Sequence, residues 1–278
     1  MDIAFKGGSD TLELWQILVA VLQGLVEWLP ISSEGQVVFF IYNFTSISQD
    51  QVLPLVVWLH LGTALAVIVR YPRIILDIIS LKDKKLTRLL FIATIATAIT
   101  AIPLYILLEN SIEIFQGEIL NVLVGSLLIV TALALYLPSH KDSGTQTVEV
   151  KEPTDREALL TGLVQGSSVL PGLSRSGVTV SALLMQKIDR ETALRFSFLM
   201  SVPAVLGILL LNLLTGSGIP ASMSTLDLII VEAIVFIVGL GSMEFLLRVA
   251  RRVNFWKLCL LLGLVAIVFG IPAFFAIS

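Results

Sequence analysis

Apolar residues fall in long runs along most of the chain, and polar residues gather between them. Six runs, at 52–69, 87–108, 119–137, 196–214, 226–247 and 256–277, are long enough to cross a hydrocarbon core of about 30 Å as helices. Two further apolar regions are interrupted. The pieces 12–29 and 33–45 are separated by "LPISSEGQ", and 157–170 and 176–186 by "LPGLSRSG". A proline, a glycine and several hydroxyls oppose a continuous helix at either place. The pattern therefore predicts two helical hairpins with polar breaks, each followed by three spans.

Composition agrees. At 278 residues, 56 % hydrophobic and 14 % charged, the chain carries too much apolar side chain to hide inside one soluble core, so it belongs in a bilayer. Its single cysteine, Cys259, excludes an intrachain disulfide and is expected in the core or against lipid. The stretch "MDIAFKGGSD" lacks the basic, apolar and small-residue pattern of a secretory signal, and is expected to stay with the protein.

The net charge of -3 says little, but the placement of charge says more. Cytoplasmic loops attract Lys and Arg. Of the 18 in the chain, six lie in 70–88, three in 138–158, three in 187–195 and four in 248–257, while 43–51, 109–118 and 215–225 hold none. Six spans alternate through these loops only if 157–187 enters and leaves from the cytoplasm. By the same logic 12–45 enters and leaves from the outer side, where both termini lie. Both are read as re-entrant hairpins, which persist at membrane depth only when buried in protein or lining a wet cavity. Two basic residues remain, Lys6 and Arg175. An arginine at helix centre costs about 2.5–3.5 kcal/mol on insertion scales, so Arg175 calls for a partner or a task.

"QGLVEWLPISSEG" from Gln23 aligns with "QGSSVLPGLSRSG" from Gln165, an offset of 142. Ser32 falls on Ser174, Ser33 on Arg175 and Glu34 on Ser176, with Pro30 and Pro171 one position out of register. The same offset carries the first three spans onto the last three. The expected fold is an all-α integral membrane protein with six transmembrane helices, two re-entrant hairpins and an inverted-topology repeat. The first repeat is 1–138, a hydrophilic linker occupies 139–157, and the second repeat is 158–278. Inverted repeats of this kind bring broken helices together near the midplane to form a binding site.

Several residues carry candidate chemistry. In "SRSG", Arg175 can clamp two phosphate oxygens at a helix start, with Ser174, Ser176 and Thr179 donating around it; each hydroxyl is equally suited to capping its helix. Glu27 lies one turn after Gln23 and suits a general base, or a carboxylate snorkelling at the hairpin mouth. Ser33 suits a nucleophile, and Glu34 either a second carboxylate or a partner for the helix dipole. His60, midway along a span, reads first as a packed polar residue and otherwise as one approaching the same site from its span. Glu244 suits an ion pair with Arg248, and Glu232, near the outer end, reads as hydrated. "RIILDIISLKDKKLTR" reads as a helix on the cytoplasmic surface, and "GLVQG" as a close helix contact.

"QGLVEWLPISSEGQ" and "PGLSRSGVTVSALL" resemble the two signature motifs of the undecaprenyl pyrophosphate phosphatase, or bacitracin resistance, family of membrane proteins. The resemblance runs along nearly the whole chain and includes "RFSFLMSVPA". It implies an enzyme that removes the terminal phosphate of a polyprenyl (undecaprenyl) diphosphate, regenerating the monophosphate carrier lipid of envelope synthesis. Carried over residue by residue, Arg175 binds the pyrophosphate with Ser174, Ser176 and Thr179 around it, Glu27 is the motif carboxylate and Ser33 the motif serine. Gln23, Ser32, Glu34 and Gln36 complete the expected substrate contacts.

The family's usual pattern has glutamate at the position of Gln23, histidine at Gln36 and a small residue at Glu34. Glutamine is neither base nor nucleophile, so Glu27 or Glu34 must activate Ser33 or a water, with a divalent cation, magnesium or calcium, as the one cofactor the chemistry invites. The loss of ionisable groups keeps a second reading open, a polyprenyl phosphate transporter that binds without hydrolysis. The expected partners are the polyprenyl diphosphate, the bilayer and a second copy in a homodimer, with no nucleic acid. The expected location is the cell membrane.

Overall fold

A computed structural model describes residues 12–110, 118–141, 152–215, 220, 223–250 and 254–276. Lys6, most of the 139–157 linker and the loop 109–118 lie wholly or largely outside these residues. All regular structure among the described residues is helical.

The first break separates α1 (Leu14–Val26) from α2 (Ser33–Phe44), and the second separates α7 (Asp155–Gly166) from α8 (Arg175–Met185). At about 1.5 Å per residue, none of these four helices reaches across a 30 Å core alone. Long helices follow each pair: α3 (Gln49–Arg70), α5 (Lys84–Asn110) and α6 (Glu118–Lys141) after the first, α9 (Arg190–Thr215), α10 (Thr225–Ala250) and α11 (Phe255–Ala276) after the second. Five of them, α3, α5, α6, α9 and α10, are long and apolar enough to cross a membrane, while α11 carries a shorter described apolar stretch, Phe255–Ile271. The molecule is a multi-pass helical membrane protein.

The broken pairs are wedged between long helices. α1 packs on α10 and α7 on α5, while α6 lies along α11 and α3 beside α9. Small residues permit these approaches. A Cβ on Gly24 would stand 3.0 Å from the backbone of Val235 and Gly239, and one on Gly162 would stand 2.3 Å from the Ala93 carbonyl. Gly125 and Gly263 face each other where α6 crosses α11. The "GLVQG" contact is thus present, against α5.

Two apolar clusters flank the breaks. One joins Trp15, Val19 and Val37 to Leu55, Leu59 and Val231; the other joins Leu89, Leu183 and Phe196. The stretch expected as one surface helix, 73–88, is divided: α4 (Pro72–Ile79) covers only its first part, and 84–88 begin α5; α4 exposes Leu76 and Ile79 while Ile74, Ile75 and Ile78 pack against the second cluster. Glu244 pairs with Arg248 at 3.6 Å and also with Arg70 at 3.0 Å. Glu232 differs from its expected hydrated state. One of its oxygens accepts the Gly62 N–H at 2.7 Å, and the other is enclosed with no partner among the described residues, because α10 sits directly on α3 at this level. Cys259 is buried and its thiol donates to the Pro30 carbonyl at 3.1 Å.

Candidate active site

Each break is built by the same capping device. Ser32 Oγ accepts the Gly35 N–H at 3.1 Å, and Ser174 Oγ accepts the Gly177 N–H at 3.1 Å, so each serine satisfies a donor that its helix start leaves unpaired. Ser32 does so from a left-handed backbone (φ 59°), a conformation that strains any residue with a Cβ and that clusters at functional sites. In the second break Gly172 has φ +113°, and a Cβ there would stand 2.6 Å from the Val124 carbonyl. Only glycine fits. A Cβ on Gly35 would likewise lie 3.0 Å from the Gly172 Cα, so the two turns touch backbone to backbone.

That contact brings the functional side chains together. Glu27, at the end of α1, is 4 % exposed. One of its oxygens pairs with the Arg175 guanidinium from the first turn of α8. The other accepts the Ser33 hydroxyl at 2.5 Å and the Gln23 amide at 3.0 Å, and lies 3.6 Å from His60 Nε2. Trp28 anchors the break from behind, donating to the Gly239 carbonyl at 2.9 Å and packing edge-on against Phe198.

This cluster forms one wall of an open cavity of about 110 Å³. Glu27, Ser32, Ser33, Glu34, Ser174, Arg175 and Ser176 all line it, joined by His60, Thr97, Gln165 and Ser168. Apolar lining is added by Val57, Ala101, Val205 and Ile208 from α3, α5 and α9. Three of the predicted contacts stand elsewhere. Gln23 is fully buried behind Glu27. Gln36 turns its amide to the Ile31 carbonyl at 3.4 Å. Thr179 lies one turn below Arg175, bonded to its carbonyl and to the Ser197 hydroxyl, each at 2.7 Å. Glu34, in the first turn of α2, occupies the position expected of a dipole partner and also faces the cavity.

His60, read as a packed polar residue or one approaching the site from its span, does reach the site from α3. One residue escaped the sequence reading. Thr131 of α6 donates to the Gly172 carbonyl and accepts the Ser174 N–H, both at 3.1 Å, and so holds the arginine-bearing turn from outside the motif.

The residues do not form a metal cage. Among the described residues no three His, Cys, Asp or Glu side chains converge as ligands. What the cavity does offer is a guanidinium and hydroxyls for an anion, a carboxylate engaging a serine hydroxyl, and apolar lining beside them. These are the elements of phosphoryl transfer on a lipid.

Comparison with known proteins agrees with this chemistry. Residues 16–268 match the family described as bacitracin resistance protein BacA. Proteins named undecaprenyl-diphosphatase are similar along their length. That of Methanothrix thermoacetophila is 39 % identical over 91 % of this chain and 95 % of its own. That of Methanopyrus kandleri is 37 % identical over 94 % and 98 %, and that of Haloarcula marismortui is 35 % identical over 92 % and 96 %. With the family model matched over residues 16–268 and these relatives over at least nine-tenths of its length, the chain belongs to the bacitracin resistance protein BacA family.

Proposed function

We propose that the protein is an undecaprenyl-diphosphate phosphatase that releases the terminal phosphate and returns the monophosphate carrier lipid. One observation carries the reading: across two breaks far apart in sequence, Glu27 contacts both Arg175 and Ser33, and all three line one cavity. Arg175, with five N–H donors, binds the diphosphate and keeps its charge neutralised as the bridging bond lengthens. Ser33 attacks the terminal phosphorus while Glu27 takes its proton, which is the arrangement of an activated hydroxyl nucleophile. The prenyl chain follows the apolar lining of Val57, Val205 and Ile208 toward lipid.

Glu34 adds a second carboxyl group to the cavity lining. A magnesium or calcium ion would supply charge neutralisation for the diphosphate, with Glu34 the side chain available to hold it.

The transmembrane arrangement is part of the proposal. α11 completes six spans, and α1–α2 and α7–α8 are re-entrant hairpins. Support comes from the ion pairs Lys85–Glu152 and Arg88–Asp155, which tie the start of α7 to the basic start of α5. The inverted repeat is supported by paired features: α1 on α10 as α7 on α5, Ser32 as Ser174, and Gly125 facing Gly263. The start of α1 then lies on the outer side of the cell membrane, as expected of the termini, which themselves lie outside the described residues.

The test is phosphate release from undecaprenyl diphosphate by purified protein in detergent, with and without divalent cation, beside Arg175→Ala. Release that vanishes in the variant is expected. Lipid binding without release by the wild-type protein would transfer the site to transport.

A further inference from the structure

We propose that His60 is the proton carrier of this site, clearing Glu27 between the two halves of the phosphatase reaction; the proposal rests on the phosphatase reading above. Its Nδ1 lies 2.8 Å from the Val56 carbonyl, one turn back along α3. A carbonyl only accepts, so Nδ1 carries the hydrogen and the ring orientation is set. Nε2 therefore points at the Glu27 oxygen that already accepts from Ser33 and Gln23. In the neutral ring this nitrogen presents a lone pair to a carboxylate oxygen, and the pair is favourable only with a proton between them. The 3.6 Å separation exceeds a direct hydrogen bond, but catalytic contacts tighten in the substrate complex, and a water in the cavity bridges such a gap.

Glu27 has to accept a proton twice in one turnover. In the first half, Ser33 Oγ bonds the terminal phosphorus and its proton passes to Glu27. The bond from that phosphorus to the bridging oxygen breaks, and the oxygen leaves with the electron pair as part of the lipid monophosphate. Glu27 then hands its proton to His60 Nε2 and is a carboxylate again. In the second half, water attacks the phosphoserine and gives one proton to Glu27, which returns it to the departing Ser33 Oγ. His60 releases the first proton to the cavity solvent, matching the one proton freed when a trianionic diphosphate becomes two dianionic monophosphates.

The charged groups facing His60 are few. Glu27 and Glu34 come from the first break and α2, Arg175 stands beyond Glu27, and Glu232 of α10 binds α3 two residues further along. The α9 face contributes Ala204, Val205 and Ile208, which do not titrate.

His60→Ala and His60→Asn separate this role from packing. Asn43 donates to the Phe39 carbonyl at 2.8 Å, which shows that asparagine makes the same backward bond and can preserve the local fold. Both variants are expected to lose about 10²–10³-fold in kcat with KM changed less than about threefold. Phosphoenzyme should accumulate at acid quench. Added imidazole should restore part of the rate in the alanine variant. Asparagine at wild-type kcat, or a loss in alanine that imidazole leaves untouched while asparagine is active, would reduce His60 to packing and overturn the proposal. Wild-type protein that releases no phosphate overturns the phosphatase reading and this proposal together. Release abolished by Arg175→Ala but unchanged by both His60 variants overturns this one alone.

Discussion

The Glu27 carboxylate at the end of α1 and the Arg175 guanidinium at the start of α8 pair across 148 residues of chain. The contact gives a largely buried arginine its counter-charge and ties the two broken helix pairs to each other. Removing one partner leaves a buried charge alone, at about 3–5 kcal/mol. Arg175→Ala should therefore lower thermal stability in detergent as well as lowering phosphate release by at least about 10²–10³-fold. Adding Glu27→Gln should recover the stability and none of the activity. A double variant no more stable than Arg175→Ala would show that the ion pair does not hold the hairpins.

Ser33 donates its hydroxyl to Glu27 at 2.5 Å. Ser33→Ala should abolish the serine phosphate trapped by acid quench and reduce turnover to background. A variant that keeps a tenth or more of the wild-type rate would move the attack to a water activated by Glu27.

Thr131 makes two bonds to the turn that presents Arg175. Thr131→Val keeps the shape and orphans the Ser174 N–H, at about 1–3 kcal/mol. The expected result is a roughly tenfold rise in KM or fall in kcat as the turn loosens, an order-of-magnitude figure for a misplaced binding group, with Thr131→Ser near wild type. Equal activity in valine and serine variants would remove Thr131 from the positioning of Arg175.

Glycines divide by what surrounds them. A Cβ on Gly166 would stand 2.5 Å from the Thr100 Cβ and 2.7 Å from the Thr97 carbonyl, whereas one on Gly207 meets nothing within 4 Å. Gly166→Ala should cost about 1–3 kcal/mol by forcing α7 off α5. Gly207→Ala should be neutral or gain up to about 1 kcal/mol. Melting curves in detergent give the comparison, and a similar Tm for the two would contradict the tight α5–α7 contact.

Single cysteines at Glu152, Lys187 and Thr45, in a Cys259→Ser background that keeps a donor to Pro30, test the re-entrant arrangement. A membrane-impermeant thiol reagent should reach 152 and 187 from the cytoplasm and 45 from outside. Labelling of 152 and 187 from opposite sides would make α7–α8 a crossing.

Much of the site was legible in the chain. "LPISSEGQ" and "LPGLSRSG" announced breaks because proline and glycine disfavour a helix whatever surrounds them. Arg175 announced a partner because its desolvation cost depends on depth alone. Other expected substrate contacts stand outside the cavity lining. Gln23 supports Glu27 from behind the wall, and Thr179 bonds to Ser197 below the cavity, because a motif gives the spacing of residues and not which of them faces the opening.

The sequence by itself determined that this is a helical membrane protein with two polar breaks, a basic end and an arginine in need of a counter-charge. Those properties follow from residue type and local spacing, since hydration and backbone costs are set within a few residues of each position. Only the tertiary structure decided that Glu27 is the counter-charge, that His60 faces the same oxygen, and that Thr131 holds the turn. Each is a contact between helices, fixed by their rotation and closest approach. Gly35 against Gly172, Gly24 against α10 and Gly166 against α5 set those approaches, and they exist only once the chain has packed.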